Sequence, residues 1–192
     1  MRRLEALIVA RTAFEELPLV ITCGATAREL ASLGLRPTHL PLLDSMGLTT
    51  AVGLGVALAH PGPVGVIDGD GSLLMGFSIL PTLAAHGAPG LVVLVLDNGQ
   101  HASAAGIPSQ AADVDLAAAA RGLGLAVEAV DHAGALQDVL GDALAVAGGP
   151  RLVVARIEPG EAEDVPFLLE DPAVLGARFA AALQDAREET TP

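Results

Sequence analysis

The chain has 192 residues, 52% of them hydrophobic, and its 23 acidic side chains against 10 Lys and Arg give a formal charge of -13. That length supplies one sizeable core, and the charge works against a nucleic-acid partner, whose phosphates it repels. A lone Cys23 excludes an internal disulfide and fits a reducing, cytoplasmic setting, with a buried packing role expected for its thiol.

Met1 to Ala10 starts with two arginines and an apolar stretch, as an export signal does, but Glu5 interrupts it. Arg11, Glu15 and Glu16 follow at helical spacing, which predicts an amphipathic first helix. No apolar run approaches the ~20 residues that a membrane-spanning helix needs. Runs of strand length then recur at 19–22, 39–43, 64–67, 91–96, 126–130 and 152–157. Between them lie Ala/Leu-rich stretches with helical periodicity at 24–33, 47–60, 72–87, 113–122 and 132–147. Strands that are apolar throughout and alternate with helices predict an α/β protein: a doubly wound parallel sheet with helices on both faces, in one domain over 1–192. An acidic, proline-punctuated segment follows at 158–171, and Asp171-Pro172 opens a last helix expected over 173–183, with a polar tail that frays.

In such sheets ligands bind beyond the carboxyl ends of the strands, which directs attention to the loops after Ile67 and Leu96. The first reads Val66-Ile-Asp-Gly-Asp-Gly-Ser-Leu-Leu-Met75. As a calcium loop starting at Asp68 it fails, because positions 6 and 12 are Leu73 and Ile79. A dinucleotide fingerprint starting at Gly69 would need glycine where Leu74 stands. What remains is a strand end running into a helix, whose free N–H groups at Gly71 and Ser72 suit a phosphate. Asp70 beside them repels a phosphate unless a cation stands between, and magnesium, held by one or two protein oxygens plus the ligand's phosphates, meets both demands. The next strand ends in Asp97-Asn98-Gly99-Gln100, where Asn98 offers a further oxygen.

Together the two strand ends resemble the signature of thiamine diphosphate-dependent enzymes, G-D-G followed about 26 residues later by asparagine. Here the 26 residues from Ser72 to Asp97 separate Gly71 from Asn98. With Ser45-Met46-Gly47 upstream and Leu96 to Ser103 downstream, the order is similar to the pyrophosphate-binding half of phosphonopyruvate and sulfopyruvate decarboxylases, over about Thr38 to Gly124. The resemblance implies thiamine diphosphate and Mg2+ as cofactors. It implies side-chain oxygens of Asp70 and Asn98 and the main-chain carbonyl of Gln100 as metal ligands, and Gly69, Gly71 and Ser72 at the diphosphate. Met46 is implied as the wedge between the two cofactor rings, with Ser45 beside it and the carbonyl of Asp44 accepting from the aminopyrimidine. His101 is the candidate to meet the substrate's carboxylate or donate a proton. Two departures stand out: Asp44 occupies a position where the family has glycine, and Ala105-Gly106-Ile107 replaces a glycine pair followed by glutamine.

The activity so implied is decarboxylation of a small 2-oxo acid resembling phosphonopyruvate or sulfopyruvate, to an aldehyde and carbon dioxide. Acetolactate synthase-like carboligation, and a non-catalytic or regulatory cofactor-binding subunit, are the alternatives. An iron–sulfur-linked oxidoreductase would want cluster cysteines, which Cys23 alone does not supply. In the family the glutamate that activates the cofactor belongs to a separate pyrimidine-binding domain, for which 192 residues leave no room. The expectation is therefore an alpha subunit of similar size as partner, an α2β2 or larger hetero-oligomer, and a chain that is inactive alone.

Overall fold

The computed structural model describes residues 1–146 and 148–190, with the side chains of all of these except 103 and 186–190. In chain order its elements are α1 (Arg3–Ala13), β1 (Leu19–Ile21), α2 (Ala25–Ser32), β2 (His39–Pro41), α3 (Thr49–Ala59), β3 (Val64–Gly69), α4 (Asp70–Met75) and α5 (Ile79–His86). Then come β4 (Leu91–Asp97), a small hairpin of β5 (Gln100–His101) and β6 (Ile107–Pro108), α6 (Leu116–Gly122), β7 (Ala126–Val130), α7 (Ala133–Ala145), β8 (Arg151–Arg156) and α8 (Pro172–Thr190). Six strands form one sheet in the order β2-β1-β3-β4-β8-β7, and every neighbouring pair is parallel.

The strands are apolar at consecutive positions because each face of the sheet has its own helical layer. Leu91, Val93 and Val95 of β4 point into a core shared with Leu54 of α3, Leu80 and Leu83 of α5 and Leu116 of α6. Val92, Leu94 and Leu96 point the other way, toward Leu7 of α1, Leu30 of α2 and Leu136 and Leu140 of α7. The doubly wound fold expected from the sequence is the fold observed. On one face, Gly53 lets α3 press onto β3: a Cβ there would lie 2.1 Å from Cγ2 of Val66.

Three details differ from the expectations. The stretch 72–87 is two helices, because the chain bends at Gly76, where a Cβ would lie 2.1 Å from the Gly47 carbonyl oxygen. Pro81 then falls in the first turn of α5, where its missing N–H costs no helical bond. The last helix does not stop at 183 but runs to Thr190 through most of the tail expected to fray at 184–192, since Gln184, Ala186, Arg187, Glu188 and Glu189 are good helix formers; residues 191–192 of that tail, like residue 147 at the end of 132–147, lie outside the described residues. Cys23 is not a core residue: it is half-buried at the strand-end face, for a reason given below.

The acidic segment 158–171 has neither helix nor strand and runs as a strap. Buried Arg3 and Glu29 pin it: Nη1 of Arg3 donates to Oε1 of Glu29 at 3.0 Å and to the Gly160 carbonyl at 2.7 Å, and Ala162 N–H donates to the same Glu29 oxygen at 3.0 Å. Arg28 pairs with Glu161 and lies 5.0 Å from the ring centre of Phe167. Among the described residues no helix is long and apolar enough to cross a membrane.

Candidate active site

Strands β1, β3 and β4 are neighbours, so their carboxyl ends open on one edge of the sheet. The segments that leave them, Thr22 to Thr26, Gly69 to Ser72 and Asn98 to Ala102, line one cleft, with Met46 and Arg3 completing it. Its enclosed space is about 70 Å³, far below the ~300–1,000 Å³ of pockets that enclose a drug-sized ligand. The cleft by itself does not enclose a ligand of that size.

At the first of the expected strand ends no loop intervenes, as β3 ends at Gly69 and α4 begins at Asp70. The change to helix straight after the strand leaves first-turn N–H groups without intrahelical partners. Asp70 is buried and accepts a hydrogen bond from Ser109 Oγ through Oδ2. Gly71 has a steric role that the sequence did not announce: a Cβ there would lie 2.3 Å from Cε1 and 2.5 Å from Nδ1 of His101, so that edge of the imidazole packs against a bare Cα.

Beneath this turn sits Asp68, almost wholly buried. Thr50 Oγ1 donates to its Oδ2 at 2.7 Å and Gly69 N–H to its Oδ1 at 2.9 Å, while the hydroxyls of Ser72 and Thr22 also face it. Burial pushes its carboxyl above the ordinary value, and these donors oppose that shift. Ser72 accepts in turn from Gly47 N–H at 3.1 Å, which fixes the bend that presents Met46. With its hydroxyl so engaged, Ser72 has its backbone N–H, rather than its side chain, to offer a phosphate.

At the second strand end, Asn98 Oδ1 accepts Gln100 N–H at 3.1 Å and keeps a second lone pair. Gln100 stands opposite Pro108 as a non-hydrogen-bonded pair, since the adjoining ladder bond runs from Ser109 N–H to the Gly99 carbonyl at 3.0 Å, so the Gln100 carbonyl points away from the facing strand. Asp97 accepts Gly99 N–H at 3.2 Å and lies 3.4 Å from Nε of Arg156. Burial raises the Asp97 carboxyl, Arg156 opposes this, and the charge of nearby Asp70 adds to it. Among the described residues no three His, Cys, Asp or Glu side chains gather as a metal cage. A cation here would therefore meet one carboxylate, one amide oxygen and one carbonyl, a hard oxygen set that leaves room for phosphate oxygens and suits magnesium.

Met46, Gly69, Asp70, Gly71, Ser72, Asn98, Gln100 and His101 thus share the cleft, whereas Asp44 and Ser45 do not line it. Ser45 Oγ turns back to the Leu43 carbonyl at 2.9 Å. Asp44 is exposed, and its side chain faces a neighbouring groove shared with Arg28 and Phe167. Its φ of 53° is the left-handed conformation that glycine adopts freely and aspartate tolerates, so the backbone keeps the glycine-like bend that the resemblance leads one to expect. Sequence reading missed Thr22 to Thr26, the third wall. Cys23 belongs to it, and burial, with the charges of Asp44 and Asp68, pushes its thiol up, so it stays protonated at neutral pH. The signal available was positional only: Thr22 follows a strand at the carboxyl edge of the sheet.

A doubly wound sheet with G-D-G and a spaced asparagine at adjacent strand ends, over an oxygen-lined cleft, defines a cofactor-binding domain of the α/β class. The family described as thiamine pyrophosphate enzyme, C-terminal TPP binding domain, matches residues 26–155, and the chain belongs to it. The chain is 43% identical over 164 residues to a phosphonopyruvate decarboxylase of Streptomyces viridochromogenes, covering 85% of this chain and 41% of that protein, so it spans well under half the length of that relative. It is 33% identical to the sulfopyruvate decarboxylase subunit beta of Methanothermobacter thermautotrophicus, over 98% of this chain and 99% of that one. In fold it is similar to benzoylformate decarboxylase from Polynucleobacter necessarius, with a TM-score of 0.73 at 18% identity over 84% of this chain and 34% of that chain.

Proposed function

We propose that the chain is the pyrophosphate-binding subunit of a two-component, thiamine diphosphate- and magnesium-dependent decarboxylase of 2-oxo acids that carry a second anionic group, as phosphonopyruvate and sulfopyruvate do. The observation that carries this reading is that Asp70, Asn98 and Gln100, from two adjacent strand ends, line the same cleft as Met46 and His101. Asp70 and Asn98 give side-chain oxygens, and Gln100 its carbonyl, to magnesium. Backbone N–H groups at Gly71 and Ser72 hold the diphosphate, and Gly69 lets the chain pass close beneath it. Asp44 and Ser45 act through the bend that carries Met46 into the cleft. Thiamine diphosphate, when bound, supplies the electron sink for loss of carbon dioxide from the 2-oxo acid.

His101, held against Gly71, donates a proton or meets the substrate's carboxylate at the mouth of the cleft. The small enclosed volume supports a site completed by a second surface, and the full-length likeness to a protein named as a subunit beta supports an unlike chain as its source. That partner, a pyrimidine-binding alpha subunit, contributes the activating glutamate; the assembly is an α2β2 or larger cytoplasmic complex that releases an aldehyde. Leu48, Met75 and Ile107, each more than half exposed, belong to segments around the cleft and suit burial against that subunit.

The test is the assembled complex with and without Asp70→Ala, assayed for carbon dioxide release from phosphonopyruvate and sulfopyruvate. The unsubstituted complex turns over at least one of them, and Asp70→Ala abolishes magnesium-dependent cofactor binding. Unchanged binding in the variant would put the metal elsewhere, and no turnover of either acid would remove the substrate assignment.

A further inference from the structure

Ser109 lies 39 residues beyond Asp70 in sequence, yet the two side chains meet in the interior. Ser109 is only 2% exposed. Its hydroxyl has one proton to give, and gives it to Oδ2 of Asp70. Ser109 Oγ in turn accepts Ala111 N–H at 3.4 Å, which caps a short helical turn at Gln110–Ala112. Its own N–H donates to the Gly99 carbonyl at 3.0 Å. Gly99 stands between Asn98 and Gln100, and Pro108, the residue before Ser109, is the one that faces Gln100 across the hairpin.

We propose that Ser109 is a positioning residue for the cation: it orients Asp70 and at the same time ties that carboxylate to the backbone carrying Asn98 and Gln100. This rests on the reading of the cleft as a magnesium and thiamine diphosphate site. With Oδ2 of Asp70 committed to Ser109, Oδ1 is the oxygen that meets the cation, in one orientation instead of several. The hydroxyl also offsets part of the cost of burying the Asp70 charge when no cation is present. Alanine at this position frees the carboxylate to rotate and unhooks the hairpin from α4. Threonine keeps the donor. Groups that orient a metal's ligands typically contribute ~10–100-fold to its affinity, and Ser109 stands in that relation to Asp70.

The experiment uses the complex of this chain with its partner, stripped of metal and titrated with Mg2+ at saturating thiamine diphosphate, with the induced circular dichroism of the bound cofactor as signal. The melting temperature of the metal-free complex is recorded beside it. Ser109→Ala is expected to raise the Mg2+ concentration for half-saturation about tenfold and to lower metal-free melting modestly, and Ser109→Thr to return both close to the unsubstituted values. Equal Mg2+ affinity in Ser109→Ala and the unsubstituted complex overturns the role of Ser109 alone. A Ser109→Ala variant whose metal-free melting falls in step with its affinity, with no recovery in Ser109→Thr, overturns it in favour of plain packing. Absence of magnesium-dependent cofactor binding in the unsubstituted complex overturns the reading of the cleft itself.

Discussion

Two crevices open at the carboxyl edge of the same parallel sheet, and they differ in what their polar residues are occupied with. The first, over β1, β3 and β4, encloses about 70 Å³; the second, over β4, β8 and β7, encloses about 440 Å³. Size would choose the second. Yet its acids do ordinary work: Asp115 caps α6 by accepting Ala118 N–H at 2.8 Å, Asp113 is exposed, and Arg156, 65% exposed, pairs with Asp97 at the boundary between the two. Thr22, Asp70 and Ser72 of the first crevice, with Asp68 beneath it, are almost fully buried, and Gly71 sits where a side chain would collide, whereas the second crevice has one buried acid, Asp97. Buried carboxylates are costly to keep, and the pair at Asp68 and Asp70 is the physical ground on which the proposal places the ligand at the first crevice.

This contrast can be broken or sharpened by substitution, starting with the largest effect. His101→Ala should lower turnover of the complex about a hundredfold, within the range of a lost proton donor, while cofactor affinity measured by equilibrium dialysis holds. Equal loss of both would make the ring a structural cover for Gly71. Asp68→Asn turns an amide donor toward hydroxyl and N–H donors. The expected loss is about 2–3 kcal/mol, read by urea denaturation, together with weaker cofactor binding as the Met46 bend loosens. Stability unchanged in that variant would remove Asp68 as the junction of the first crevice.

The buried His39 of β2, far from either crevice, provides an electrostatic control. Its ring is fully buried without a hydrogen-bond partner, and burial, aided by the charges of Arg36 and Arg11, pushes its pKa down to about 4. An unfolded histidine titrates near 6.5, so between that pH and about 4 the unfolded chain binds a proton that the folded chain does not. Stability then falls as pH falls through this window, by about 1 kcal/mol between pH 6 and pH 5. His39→Gln should flatten that slope in melting curves and leave the cleft's cofactor affinity unchanged. The smallest effect belongs to the second crevice: Asp115→Ala removes a helix cap worth about 1 kcal/mol and should shift melting slightly, with no change in cofactor binding. A cofactor defect there would erase the distinction between the crevices.

What the sequence made legible follows the same division. The strands were readable because two-sided burial writes itself as continuous apolar runs, and G-D-G with Asn98 was readable because both residue type and spacing are constrained by chemistry. Thr22 to Thr26 carries no comparable motif: the segment enters the cleft because β1 lies beside β3, and strand order is not written in a local pattern. Asp68 figured in the sequence only as the first position of a calcium loop that fails, and only folding brings Thr22, Thr50 and Ser72 around it. Ser109 was hidden by the hairpin that returns it to Asp70. The split of 72–87 required knowing that Gly47 would press on Gly76. The substitution of Asp44 for glycine looked disruptive in sequence, but its positive φ and outward side chain make it a compatible replacement.

The most direct measurement is recovery of the tagged chain from cells that express it, followed by thiochrome fluorescence assay of the purified material and identification of whatever co-purifies. The account predicts stoichiometric thiamine diphosphate together with a second, unlike chain of similar size, both retained in magnesium and the cofactor lost with chelator. A lone chain that carries no thiamine diphosphate, even when magnesium is present, would contradict it.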